Sequence, residues 1–400
     1  MNIPRTLITM TACILLSLPI MAGELLDAVK DGKPILDLRI RLEAVDQSNL
    51  HDDGYAPTLR TRLGWQTKAY KGWSLTIDME DITVLGDDTY NSTNNGVTHR
   101  PVVADPEDTE LNRVHLTYKN DRRAFVLGRQ RIKLDNDRFI GNVGWRQNEQ
   151  TFDALTWQES ISEKVTLTTA WVANVNRIFG EHHGNDLNAN LRTSTFIGHL
   201  AFPAGPLGKA SLFTHLIDLD DLPAASHANY GIRITGKWKT SDSLAFTHEI
   251  SYAKQQDYAD GNENIDNDYY MLSFGPKFGA FSITANREVL GGNGEAGFAT
   301  PLATLHAFNG WSDRFLSTPA VGLVDDFLKV IWKSGPWKAG LFYHQFESDE
   351  GSIDFGDEIN LLLTRKLGKG FDCGLKYADF NGDSVTVDVQ KLWLWLHFKL

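Results

Sequence analysis

Basic residues recur at every second position in two neighbouring stretches near the amino terminus: Arg39 and Arg41, then Arg60 and Arg62, with Lys68 farther along. Arg113 and His115 repeat the spacing. A guanidinium is planar and permanently charged, and it grips a carboxylate through two parallel N–H bonds. On an extended chain, a spacing of two places such groups on one side. Gathered on one wall of a narrow, partly desolvated passage, they would lower the energy of an anion far more than bulk water allows. Acids alternate among them, at Asp37, Glu43, Asp78 and Glu80, so a second reading stays open: that the arginines pair with these acids and stiffen a wall.

The elements that carry these groups read as strands. In the first stretch Leu36, Leu38, Ile40, Leu42 and Ala44 oppose Asp37, Arg39, Arg41 and Glu43; in the second Leu59, Leu63 and Trp65 oppose Arg60, Arg62, Gln66 and Lys68. In the third Leu75, Ile77 and Met79 oppose Ser74, Thr76, Asp78 and Glu80. Such alternation gives each strand one apolar and one polar face. It recurs along the chain, and the pattern predicts strands over 35–46, 57–69, 72–83, 110–120, 123–133, 150–159, 164–174, 192–202, 208–218, 228–239, 243–254, 267–277, 279–289, 324–334, 336–347, 355–366, 370–380 and 386–400. Every second connection is short, as at Tyr70-Lys71-Gly72, Asn120-Asp121-Arg122 and Phe278-Gly279, and the others are longer and rich in Asp, Asn and Gly.

An even strand number with both ends on the short-turn side is the topology of bacterial outer-membrane proteins. The expected fold is therefore all-β: an 18-stranded antiparallel transmembrane β-barrel of the bacterial outer membrane. A lipid-facing Arg or Lys near the midplane costs about 2–4 kcal/mol, so the polar faces must line the interior. Closure removes the open edges that lipid would not tolerate.

The amino terminus fits that compartment. Arg5 precedes an apolar run from Leu7 to Ile20 and small residues at Ala22 and Gly23, the layout of a secretory signal peptide over 1–22, ahead of a single barrel domain over 23–400. The run falls short of the roughly 20 residues a spanning helix needs. Cys13 lies in this signal, so the mature chain carries Cys373 alone and no internal disulfide. The net charge of -12 becomes one unit more negative once Arg5 is removed, a balance that suits no nucleic-acid partner. Much of the acid falls in expected outer loops, at Asp87, Asp88, Asp105, Glu107 and Asp108, and again at Asp218, Asp220 and Asp221. Acid outside and base inside is a separation an anion-selective conduit could use; alternatively, the loop acids bridge divalent cations on the lipopolysaccharide surface.

Other segments bear on the interior. The connection from Leu290 to Leu323 is long enough to fold into or over a pore, and Leu305, Phe308, Trp311 and Phe315 call for a wall to pack on. Residues 135–148 are expected to dip inward after the fifth strand and carry Arg138 and Arg146 into the lumen. Phe125–Leu134 alternates poorly, which a bulge would explain. Trp65, Trp73, Tyr118, Trp238, Trp332 and Trp337 fall near strand ends, where interfacial girdles place aromatics. Asp260–Asp268 repeats oxygen ligands at every second residue, a spacing open to Ca²⁺ or to a plain solvated loop, and the adjacent His182 and His183 do not converge readily on one ion. No cofactor or metal is therefore assigned. The last strand alternates Leu392, Leu394, Leu396, Phe398 and Leu400 with Lys391, Trp393, Trp395, His397 and Lys399, and resembles the carboxy-terminal signal read by the barrel assembly machinery, which usually ends in Phe or Trp.

Two segments are more specific. Leu127-Gly128-Arg129-Gln130-Arg131, continuing through Asp137-Arg138-Phe139-Ile140-Gly141 and Gly144-Trp145-Arg146-Gln147 to Gln150-Thr151-Phe152-Asp153-Ala154, resembles the core of the alginate export family of outer-membrane proteins. His306-Ala307-Phe308-Asn309-Gly310-Trp311-Ser312-Asp313-Arg314-Phe315 resembles that family's long loop before the fourteenth strand. The resemblance implies an eighteen-stranded monomer that conducts an acidic saccharide, with periplasmic transport partners possible. The lumen set expected to meet such uronates is Arg39, Arg41, Arg60, Arg62, Arg113, Arg129, Arg131, Arg138, Arg146 and Asp153. The alternative is a general or small-anion nutrient porin of the same fold. An enzyme is not expected, because no nucleophile motif such as G-x-S-x-G occurs. A barrel has no energy source of its own, so the direction of transport stays open.

Overall fold

The computed structural model describes residues 23–87, 89–383 and 385–400. The expected signal over 1–22, with Cys13, and Asp88 of the first long acidic loop lie outside the described residues.

Period-two alternation produces eighteen strands, each within three residues of its expected bounds. They are β1 (Lys33–Gln47), β2 (Gly54–Gln66), β3 (Trp73–Val84), β4 (Asp108–Lys119), β5 (Arg123–Gln130), β6 (Thr151–Ser162), β7 (Val165–Asn176), β8 (Asn190–Pro203) and β9 (Lys209–Ile217). The second half comprises β10 (His227–Lys239), β11 (Leu244–Asp257), β12 (Asp266–Phe278), β13 (Phe281–Leu290), β14 (Leu323–Ser334), β15 (Trp337–Glu347), β16 (Asp354–Gly368), β17 (Phe371–Gly382) and β18 (Val389–Lys399). Each pairs antiparallel with its sequence neighbours, and β18 pairs with β1 from Asp37↔Lys399 to Gln47↔Val389, closing the barrel.

The two faces meet different media. Ile40, Leu63 and Met79 are 51%, 55% and 53% exposed on the outside, whereas Arg41 and Glu80, on the opposite face, are 1% and 0% exposed. An apolar outer band with a charged interior is the outer-membrane pattern. Aromatics ring the short-turn rim: Trp73 meets Tyr118 and Phe125, and Phe125 meets Trp157. Short turns are set by residues that tolerate positive φ. Lys71-Gly72 and Lys369-Gly370 hold φ of 51° and 86°, and of 50° and 82°, the twist that two-residue hairpins require. Residues 23–30 form a helical segment at this rim, tied by Trp65 Nε1 to the Val29 carbonyl at 2.8 Å.

β5 carries no register shift against either neighbour, so its weak alternation is not a bulge. It is short instead, and the chain leaves the wall after Gln130. The bulges flank it: Asn112 is the extra residue of β4 against β3, and Ala173 that of β7 against β6.

Two connections fold into the barrel. Residues 131–150 and 291–322 form no ladder with the wall, and they clasp one another: Gly141 N–H donates to the Leu302 carbonyl, and Thr304 N–H to that of Asp137, both at 2.9 Å. Ile132, Ile140 and Leu302 bury against Phe152, Val172, Val175, Ile197 and Ile217 of the wall. Phe298 buries beside Phe213, Tyr269, Phe346 and Phe380. Full burial of such a side chain contributes roughly 1.5–3 kcal/mol, so these apolar patches on an otherwise polar inner face position both segments. Phe315 packs on Phe346 at 4.8 Å, and Trp311 on Phe342 at 4.8 Å, as their wall-seeking character implied.

Candidate functional site

The arginines of β1 and β2 do face inward, and their partners are the inward segments and the neighbouring acids. Arg39 donates to the carbonyls of Trp145 and Arg146 at 2.9 and 2.6 Å and to Gln147 Oε1 at 2.9 Å. Arg41 donates to the Trp145 carbonyl and pairs with Asp105 and Glu43. Arg60 pairs with Asp37, Arg62 with Glu80, and Arg113 with Asp78. Arg131 straddles Glu149, with Nε 2.7 Å from both oxygens. Arg138 holds Glu288 at 2.8 Å and Asn309 at 3.0 Å, while Arg146 holds Glu43 at 3.0 Å and Asp313 at 2.8 Å. Eight of the ten expected lumen residues thus line the interior, but as anchors already matched.

Two do not belong to that set. Arg129 donates to the Leu111 carbonyl of β4 and to Asp153 of β6, both at 2.9 Å, so from the last residues of β5 it ties the two flanking strands together. Arg129 shares its face of β5 with the outward Leu127, and Asp153 its face of β6 with the outward Leu155, so the expected place of both among the lumen residues is corrected. Lys68, grouped with the basic cluster by spacing, lies past the end of β2 and meets Asp31 at 3.1 Å in solvent. In the loop that suggested Ca²⁺, Asp266 and Asp268 both turn to Lys254. His182 meets Asp108, and His183 the Thr93 carbonyl. Among the described residues, no group of three metal-ligating side chains is gathered.

The charges on the segments are set by these contacts. Burial alone would raise the Glu149 carboxyl, but Arg62 and Arg131 more than offset it and hold it at about 2. Burial opposes the charge on Asp313 as well, and His306, Lys391 and Arg146 hold its carboxyl well below the usual range. Burial, helped by Lys376 and opposed by Asp313, keeps His306 neutral. Its Nδ1 is 2.6 Å from Asp313 and its Nε2 is 2.6 Å from Lys376 Nζ, which makes Nδ1 the protonated nitrogen.

The segment from Leu305 to Asp313 lines two cavities, one on each side of it. Toward the outer mouth lies a cavity of about 480 Å³ with His306, Ser312 and Asp313 in its floor. On the periplasmic side lies one of about 460 Å³ roofed by Ala307, Phe308, Asn309, Gly310 and Trp311. The outer cavity has apolar walls, including Phe179, Leu305 and Leu316, and four cationic side chains. Arg146 and Lys391 share Asp313. Arg177 donates to the Leu187 carbonyl and lies over Phe179, and Arg314 has a buried, unpartnered Nε; neither has a carboxylate partner among the described residues. Sequence spacing missed Arg177, Arg314, Lys376 and Glu358. Trp393 and Lys391 were legible, since both alternate with the lipid-facing leucines of β18.

Comparison with solved structures matches this architecture to outer-membrane barrels. OccK9 (OpdG) of Pseudomonas aeruginosa is similar with a TM-score of 0.73 and 13% identity, covering 93% of this chain and 100% of that one. OccAB4 of Acinetobacter baumannii is similar at 0.71 and 11%, covering 92% and 98%. OpdK of Pseudomonas aeruginosa, solved with vanillate, is similar at 0.69 and 11%, covering 93% and 99%. No protein-family model matches the sequence. No curated protein matches it. The fold is the closed eighteen-stranded antiparallel barrel of these outer-membrane structures, and the chain is placed in the bacterial outer membrane. The comparisons support the coarser part of the expected resemblance, an eighteen-stranded outer-membrane barrel, and none of them supports alginate export.

Proposed function

We propose that the chain is a passive porin for small solutes, with a preference for organic anions that carry an apolar body, rather than a conduit for a polyuronate. The observation that carries this reading is the pair of small cavities on the two sides of residues 305–313. Two inward segments leave chambers of about 480 and 460 Å³, the size of small-molecule sites, where a polymer needs a continuous bore. The arginine wall supports the same view. Apart from Arg39, which donates to carbonyls and Gln147, its charges are spent on Asp37, Asp78, Glu80, Asp105 and Glu149, so it holds the constriction in place more than it recruits solute.

Cation excess is left in the outer cavity, at Arg177 and Arg314. Unpaired guanidinium beside apolar wall suits an anion with a hydrophobic side. Vanillate in the OpdK crystal is a precedent for a small carboxylate in this fold. The test is the reversal potential of the refolded barrel in a planar bilayer under a KCl gradient. Chloride preference that falls roughly threefold to tenfold in Arg177→Ala/Arg314→Ala supports the reading. Cation preference, or no change in the double variant, contradicts it.

A further inference from the structure

Four elements meet at one side chain beside residues 305–313. Lys376, on the inner face of β17, is 5% exposed. Its ammonium donates to His306 Nε2 at 2.6 Å and lies 3.8 Å from the centre of the Trp311 ring, 4.3 Å from Trp145 and 5.2 Å from Trp393. His306 and Trp311 belong to that segment, Trp145 to the other inward segment and Trp393 to β18. Among the described residues, no carboxylate lies within ion-pair distance of this ammonium. Its nearest contacts are the negative faces of three indoles and one imidazole lone pair, with the carboxylates of Asp313, Glu43 and Glu358 farther off.

We propose that residues 305–313 are a gate, and that Lys376 in this cage is the bolt that holds it shut. The proposal rests on the porin reading above, because a gate presupposes a solute that passes. The partition is one chain thick: the same short segment floors the outer cavity and roofs the inner one. Side chains, not a strand ladder, attach it to the barrel. Lys376 holds one side of Trp311; on the adjacent strand, Glu358 accepts from Ser312 N–H at 3.0 Å and also from Trp311 N–H and Ser312 Oγ.

The segment also carries its own hinge. Asn309, Gly310 and Asp313 hold φ of 53°, 80° and 62°. Left-handed backbone at non-glycine residues is held only by its surroundings. A Cβ at Gly310 would strike the Glu358 carboxylate, so the closed position leaves no room for a larger residue. Withdrawing Lys376 removes the contact that Trp145, His306 and Trp311 share, and the clasp between the two inward segments loses its centre.

Single-channel recording of the full barrel tests this. Lys376→Met keeps the length of the side chain and removes its charge; Lys376→Arg keeps a cation that stacks on indole. Trp311→Leu strips one face of the cage from the loop and leaves every strand untouched. Lys376→Met and Trp311→Leu are expected to raise open-state occupancy by on the order of 30-fold, with Lys376→Arg close to wild type. Unchanged occupancy in both the Met and Leu variants, or Arg behaving as Met, overturns the bolt. Should Lys376→Met lose the folded, heat-modifiable band, Trp311→Leu decides alone. Absence of conductance and of solute entry in wild type and all variants would instead overturn the porin reading.

Discussion

Glu149 shows how a single side chain organises this lumen. It is 1% exposed and receives Arg131 through both oxygens, with Asn112 and Asn142 completing its shell at 2.9 and 2.6 Å. Removing one partner of a buried pair leaves the other charge uncompensated, at a cost of about 3–5 kcal/mol. Glu149→Gln is therefore expected to loosen residues 131–150, read as faster proteolysis within that segment while the barrel stays intact. The pH dependence follows from the same group. The Glu149 carboxyl is held at about 2, below the roughly 4.3 of an unfolded chain, so its pairing stabilises the segment above that higher value and the contribution is lost as pH falls toward the lower one. Open-channel noise in wild type is expected to rise between about pH 4 and pH 2. In Glu149→Gln it should be high already at neutral pH and flat across that interval.

At the scale of elements, the strands were legible and the inward segments only partly so. A strand announces itself through a local period of two and a turn signal, as Leu36 to Ala44 and Lys369-Gly370 do, and its partner is the next strand along the chain. The inward segments have no period. Their partners are remote: Arg39 meets Gln147 across 108 positions and Arg138 meets Asn309 across 171. Long apolar loops told that something must fold inside, and Phe315 and Trp311 did. Which acid each arginine would meet was not readable, because alternation gives the face and not the height. Arg129 shows a second limit, since the poor alternation of β5 hid which face it takes. The anchoring of 299–316 leads to a prediction of its own. Replacing it with a short Gly-Ser linker is expected to keep the folded barrel, judged by heat-modifiable migration, and to raise single-channel conductance several-fold; unchanged conductance would mean that the partition does not limit flow.

Over the whole molecule, charge and shape are separated by depth. The outward band is apolar, the wall interior carries many matched ion pairs, and the outer chamber holds two guanidiniums, Arg177 and Arg314, without a carboxylate partner among the described residues. Matched pairs at low dielectric stiffen the wall without attracting ions, whereas Arg177 and Arg314 still present charge to a solute. On the proposed reading, the two small chambers limit the size of what can pass. Liposome swelling with purified barrel and a graded set of solutes tests that limit most directly. Entry of small aromatic and aliphatic carboxylates, with uronate oligomers excluded, is the expected result. Oligouronates entering as fast as their monomers would contradict it, and would restore a continuous polymer path through the barrel.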